Sequence, residues 1–242
     1  MSSLNNYDGR LDWTPEEGWL ISGSVFYKQI ENPIQYVQRF ASFAYTSAVN
    51  YGDGSLFGVE VESRITAEPL LGEDFKGLAA GFNFTYMESD VKLTEQDASA
   101  FANYGANITS IPMTGTPDYL FNANLTYDYE PWGTQLGLFY NYQGKSLISA
   151  ATTDATPSPP APPGPQPGTL LVPAIYQLPY PTLNFTIRQP LLWGFALNFA
   201  AKNLTNPVRE TQYETVDGQT GTNSTYTAGI DLQFGLTFSM IF

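Results

Sequence analysis

From Ile230 to the C-terminus, apolar and polar residues alternate one by one. Ile230, Leu232, Phe234, Leu236, Phe238, Met240 and Phe242 interleave with Asp231, Gln233, Gly235, Thr237 and Ser239, and only Ile241 breaks the polar set. Residues two apart share a face of a β-strand, so this stretch is a ribbon with one apolar and one wet side. The pattern recurs along the chain and predicts about nine strands: 5–13, 19–29, 55–66, 78–87, 119–129, 134–143, 182–189, 195–203 and 230–242. Leu20, Phe26 and Phe139 fall on the polar side of their strands. The connections alternate as well. Short turns lie at 14–18, 68–77, 130–133 and 190–194, whereas long loops lie at 31–54, 92–117, 147–180 and 205–226. Structureless loops of this length are uncommon inside compact soluble domains. Short turns at one rim and long loops at the other are the pattern of a transmembrane β-barrel.

Composition narrows the function. The chain has no Cys and no His, which removes disulfide scaffolds, thiolate metal sites and His-based catalysis. No metal or cofactor is expected. The formal net charge of −13, with Lys+Arg 10, is the wrong sign for a phosphate backbone, so no nucleic-acid partner is expected. Charged residues make up 14%, and no window approaches the roughly 18 uninterrupted apolar residues of a membrane-spanning helix.

The placement of charge and of Trp points the same way. Asp8, Arg10, Asp12, Lys28, Glu60, Glu62, Arg64, Asp128, Arg188, Lys202 and Asp231 occupy polar-face positions, and on the apolar faces only Glu88, at a strand tip, is charged. A β-sandwich core would also exclude charge, but it would not gather every Trp at one end. Trp13, Trp19, Trp132 and Trp193 all lie at short turns, while Tyr27, Tyr86, Tyr140 and Tyr142 fall toward the long-loop ends. Trp and Tyr favour the membrane–water interface, where the ring stays apolar and the polar tip stays wet. The expected wall therefore has a Trp girdle at one rim and a Tyr girdle at the other.

Several runs also resemble the C-terminal half of TonB-dependent outer-membrane receptors. They are Asn5-Asn6-Tyr7-Asp8-Gly9-Arg10-Leu11-Asp12-Trp13, Val25-Phe26-Tyr27-Lys28 with Asn32-Pro33-Ile34, Phe57-Gly58-Val59-Glu60-Val61-Glu62, and Ala201-Lys202-Asn203-Leu204-Thr205-Asn206-Pro207. The ending Gly235-x-x-Phe238-x-Met240-x-Phe242 is similar to the signal read by the outer-membrane assembly machinery. The resemblance implies an all-β, antiparallel barrel segment within a 22-stranded type of barrel in the outer membrane of a Gram-negative bacterium. It also implies energised uptake of a scarce nutrient of siderophore, cobalamin or glycan type, and no enzymatic activity. Residues 1–242 are read as part of one barrel domain, without plug, TonB box or signal peptide. The partners implied are outer-membrane lipid, the remaining N-terminal barrel half with its plug, the TonB complex through that N-terminal part, and the assembly machinery.

Candidate functional residues follow. Tyr36, Phe40, Phe43 and Tyr45 form an aromatic cluster in the first long loop, suited to stacking on a ligand or to extending the strands above the membrane. Glu60, Glu62 and Arg64 share a face, as a lumen network and not a catalytic carboxylate pair. The sequons at Asn83, Asn124 and Asn184 fit polar-in, apolar-out alternation, and the proline-rich run 156–168 fits a stiff loop tip. Two other readings fit the strand pattern: a small stand-alone barrel, porin-like or adhesin, closed by one more strand, and a secreted glycan-binding β-sandwich.

Overall fold

The computed structural model describes residues 2–40, 44–103, 105–154 and 170–239. β1 (Ser3–Trp13) and β2 (Leu20–Glu31) form the first hairpin, and β3 (Ile34–Phe40) and β4 (Ala44–Asn50) form a separate ribbon beyond it. β5 (Gly54–Thr66) returns alongside β2. A turn carrying the short helix α1 (Glu68–Leu71) leads to β6 (Leu78–Lys92). Helix α2 (Glu95–Asn103) and β7 (Ser110–Ile111) precede the hairpin of β8 (Tyr119–Tyr129) and β9 (Thr134–Gln143). Then come β10 (Ser146–Ser149), β11 (Thr152–Asp154), β12 (Leu170–Val172) and β13 (Ala174–Gln177). β14 (Tyr180–Pro190) pairs with β15 (Phe195–Lys202), β16 (Arg209–Glu214) pairs with β17 (Thr220–Tyr226), and β18 (Asp231–Phe238) lies against β15.

The long strands make one antiparallel wall in the order β1-β2-β5-β6-β8-β9-β14-β15-β18. Its register joins the alternation of separate strands into continuous rows. One row runs Leu11, Gly23, Val61, Phe84, Phe121, Tyr142, Pro181. Its neighbour on the opposite face runs Asp12, Ser22, Glu62, Asn83, Asn122, Asn141, Thr182. A slip of one residue in any strand would carry its apolar set to the other face and break both rows. Carboxylates that do lie on the apolar face, Glu31, Glu88 and Asp90, sit at or near the long-loop ends of their strands.

No second sheet covers the apolar face among the described residues. Leu11 is 77% exposed and Phe234 81%. The β-sandwich reading is thereby corrected, because its core requires two sheets face to face. The extra strand of a small closed barrel is not present either: among the described residues, β1 and β18 have no partner on their outer edges.

Phe26 and Phe139, on the wrong side by sequence, have a shared explanation. Phe26 pairs with Gly58 on the polar face, and its ring lies where a Cβ of residue 58 would stand, 2.2 Å from the nearest ring carbon. Phe139 covers Gly137 in the same way, 2.7 Å from the position of a Cβ. Each ring shields a strand glycine that has no side chain of its own to pack. Gly18 serves a different purpose. With φ at +78° and Thr66 2.7 Å from its would-be Cβ, it lets the first short turn close against the end of β5.

The long loops are not structureless. They carry β3–β4, α2, β7, the four-stranded sheet β10-β13-β16-β17 and the β11–β12 pair. β6 runs on to Lys92, past its expected end at Met87, and β18 stops at Phe238. Met240 and Phe242 of the terminal signal lie outside the described residues, as does the proline-rich run.

Two predictions follow from the rows, both for the full-length protein unfolded by urea in phospholipid vesicles. Leu125→Arg, on the apolar face, costs about 2–4 kcal/mol, whereas Thr126→Arg on the polar face costs much less. Gly58→Val costs about 1–3 kcal/mol by overpacking. The double change Phe26→Ala/Gly58→Val loses less than the sum of its parts.

Candidate functional site

On the polar face, charged and amide side chains from successive strands bond across the wall. Arg10 donates from its guanidinium to Glu62 at 2.9 Å and to Asp12 at 2.8 Å, and Arg64 stands 4.0 Å from Glu62. Asn83 donates to Glu60. Farther along, Asn141 donates to Asn122 at 2.6 Å, and Asn184 donates to Asn141 at 3.5 Å. Arg10 is 42% exposed, so each ion pair is worth at most about 1 kcal/mol. The network satisfies polar groups and orients them more than it stabilises the fold. Glu60, Glu62 and Arg64 share one face of β5, where Arg64 approaches Glu62 and Glu60 accepts from Asn83. Sequence alone missed that Arg10 and Asn83, distant in the chain, complete the group.

The loop elements form a cap at the long-loop end with its own core: Val37, Tyr51, Val91, Leu93, Phe101, Leu147 and Ala150. The Thr94 side chain caps α2 and is itself held by Asp97. The Asp97 amide donates to Thr94 Oγ1 at 3.1 Å, and the Thr94 hydroxyl donates to the Asp97 carboxylate at 3.0 Å. The carboxylate is buried and also accepts from Thr152 on β11 at 3.3 Å, which locks the helix to that strand. Phe101, one turn beyond Asp97, fills the core on the same helix face. Tyr51 faces Asp97 and Thr152. Burial, reinforced by the Asp97 charge, holds its hydroxyl pKa well above the ordinary tyrosine value. The spacing Thr94-x-x-Asp97 was the sequence signal for this helix, and it lay inside a segment read as loop.

Cations collect where the cap meets the wall. Lys145 pairs with Glu214 at 3.0 Å and stands 3.9 Å from the centre of the Tyr176 ring. Burial first, then the charges of Glu214 and Asp118, raises the Tyr176 pKa to about 12. The Arg209 guanidinium lies over Tyr180 at 4.4 Å and 6.0 Å from the Tyr226 ring, and its Nε is buried without a hydrogen-bond partner among the described residues. Tyr180 donates to Gln143 at 3.0 Å, at the end of the polar-face row that begins at Arg10. Two cations cradled by aromatic rings therefore stand at the mouth of the polar face.

Of the expected aromatic cluster, Tyr36 and Tyr45 are set apart. Tyr36 pairs with Ala48 and Tyr45 with Arg39, so the two rings occupy opposite faces of the β3–β4 ribbon. Phe40 belongs to β3, and Phe43 lies outside the described residues. The Trp set is at one rim. Trp13 ends β1, and Trp19 precedes β2 and donates from its indole to the Thr66 carbonyl at 3.0 Å. Trp132 lies in the β8–β9 turn, and Trp193, 85% exposed, holds a left-handed φ of 61° in the β14–β15 turn. Gly235 and Phe238 lie on β18, and Phe238 packs against Phe195 with ring centres 4.8 Å apart.

A family model described as "TonB dependent receptor-like, beta-barrel" matches residues 3–204. Two solved structures share the fold. The FrpB iron transporter from Neisseria meningitidis (F3-3 variant) is 14% identical with a TM-score of 0.57, over 98% of this chain. The ferric enterobactin receptor PfeA, in complex with BCV-L6, is 16% identical with a TM-score of 0.55, again over 98%. This chain spans 30% of the first and 31% of the second. No curated protein matches by sequence.

If the cap is a unit with its own core, Phe101→Ala loosens it by about 3–5 kcal/mol without disturbing the wall. Limited proteolysis of the full-length protein in membranes is expected to cut faster within 92–117 and 170–180, while the wall fragments stay protected.

Proposed function

The chain belongs to the TonB-dependent receptor β-barrel family, and we propose that it is the C-terminal portion of the wall of an outer-membrane receptor for energised uptake of a scarce nutrient, of the iron-chelate type. The observation that carries this reading is the pair of open edges on an otherwise continuous wall. In hydrocarbon, the unpaired N–H and C=O groups of β1 and β18 would have no water to bind. The wall is therefore completed by strands of the remaining barrel. Its apolar face meets outer-membrane lipid, and its polar face lines the lumen around a plug through which the TonB complex acts. β18, with Gly235 and Phe238, presents the segment that the assembly machinery reads.

The cap stands on the extracellular side and takes part in ligand selection. Iron chelates are favoured over cobalamin or glycan because Arg209, and Lys145 once an incoming anion competes with Glu214 for it, place cations at the mouth of an otherwise acidic chain, where an anionic chelate would arrive. The names of the two structural relatives agree with that choice. In the full-length protein expressed in iron-limited cells, Lys145→Ala/Arg209→Ala is expected to lower ferric-chelate binding at least tenfold at unchanged surface amounts. Unchanged binding would remove the chelate assignment. Loss of the whole gene without any effect on nutrient uptake would remove the receptor reading itself.

A further inference from the structure

Arg209 lies outside the ladder that holds the rest of its hairpin. β16 pairs with β13 from Gln177↔Thr211 to Ala174↔Glu214, and the Leu178 amide donates to the Glu210 carbonyl at 2.9 Å. Arg209 precedes all of these residues of β16, and its strand partner is Tyr226 of β17. Its seat on the Tyr180 ring is therefore fixed from the base of the hairpin, where the chain leaves β15 and returns to β18.

That base is built on asparagine side chains. Asn203 and Asn206 hold left-handed φ of 58° and 37°, a region that Asn and Asp tolerate better than other side chains. Asn203 donates from Nδ2 to the Gly229 carbonyl at 2.7 Å, and the Gly229 amide donates to Asn206 Oδ1 at 3.1 Å. The outgoing and returning chains are thereby tied across each other. The same segment is stitched to β14. The Asn203 amide donates to Asn184 Oδ1 at 2.9 Å, the Leu204 amide to the Leu183 carbonyl at 2.7 Å, and the Thr205 hydroxyl to the Pro181 carbonyl at 3.0 Å. Asn184 is itself oriented by donating to Asn141, the next amide of the polar-face row.

Both members of the cation–π pair are thus referred to one frame. Tyr180 adjoins Pro181, and Arg209 follows Asn206 by three residues, a reach of at most about 10 Å. Tyr226 precedes Gly229 by the same interval on the returning strand. We propose that Asn184, Asn203 and Asn206 are positioning residues: their clamp sets Arg209 over Tyr180 at the mouth of the polar face and holds the cation ready for an anionic ligand. The clamp touches no ligand itself. It acts by preorganisation, because a guanidinium already ordered loses less freedom on binding. The role in binding rests on the chelate-receptor reading; the placement of Arg209 does not.

The test uses the full-length protein, freed of any other Cys, in phospholipid vesicles. Thr225→Cys, opposite Glu210, and Leu125→Cys on the wall carry spin labels whose separation is read by pulsed electron paramagnetic resonance. Asn206→Ala and Asn184→Leu are expected to at least double the width of the distance distribution. Asn206→Asp and Asn184→Asp keep the accepting oxygens, so both retain the width of the unaltered protein. Binding is followed with the ferric complexes of citrate and of catechol. Asn206→Ala is expected to weaken it at least threefold, yet to cost nothing further once Arg209→Ala is present. A narrow distribution in Asn206→Ala and Asn184→Leu, or a broad one in the Asp variants, would overturn the clamp. Additive losses in the double variant would overturn its action through Arg209. If the unaltered protein binds neither complex, the chelate reading fails, and the label widths alone decide the clamp.

Discussion

The structure depends on the backbone ladder of the wall. A membrane supplies no water to an unpaired amide, so each strand inside it must exchange hydrogen bonds with a neighbour on both sides. That requirement fixes register before side chains are considered. Register in turn decides whether the apolar positions of successive strands coincide. Here they do, across the row from Leu11 to Pro181, without one charged residue. The ion pairs and amide contacts on the other face add little energy. They matter because they keep the polar positions of neighbouring strands aligned on the same ladder.

Wall and cap invert each other's logic. In the wall, large apolar residues are exposed: Leu232 is 56% and Leu236 62% accessible, which would be untenable in water over so wide a surface. In the cap, Val37, Val91 and Phe101 are fully buried, and a buried carboxylate accepts hydrogen bonds from Thr94 and Thr152. One chain thus builds for two solvents. Val91 shows the change along a single strand. It continues the polar face of Asn83 and Thr85 on β6, yet is apolar and lies buried in the cap core.

This contrast also explains what was legible in the sequence. Period-two alternation found each wall strand because lipid on one side and polar groups on the other impose it strand by strand. The Trp rim was legible for the same reason. The exceptions needed partners far away in the chain. Nothing near Phe26 announces Gly58, and nothing in Glu62 announces Arg10, because both pairings exist only once β1, β2 and β5 are in register. The cap was misread as loop because its strands are short and its stability is tertiary. Gln35 and Val37 alternate with Tyr36 on a ribbon whose buried face has meaning only against Ala150 and the Thr114 amide. Tyr36 and Tyr45 look like one cluster in sequence, but the hairpin register puts them on opposite sides.

The open edges carry a geometric consequence. With alternating strand directions along the order from β1 to β18, the two edge strands point the same way. Joining them directly, or to the matching edge of a second copy in the same membrane orientation, would create a parallel seam. A closure that keeps every seam antiparallel needs an odd number of further strands from elsewhere. The two edges are not equivalent for that purpose. β1 offers Asp8, Arg10 and Asp12 on its polar face, with Arg10 already engaged by Glu62, whereas β18 offers Asp231, Gln233 and Thr237. The strand that meets β1 must therefore accommodate a charged polar face, and the one that meets β18 a nearly neutral one.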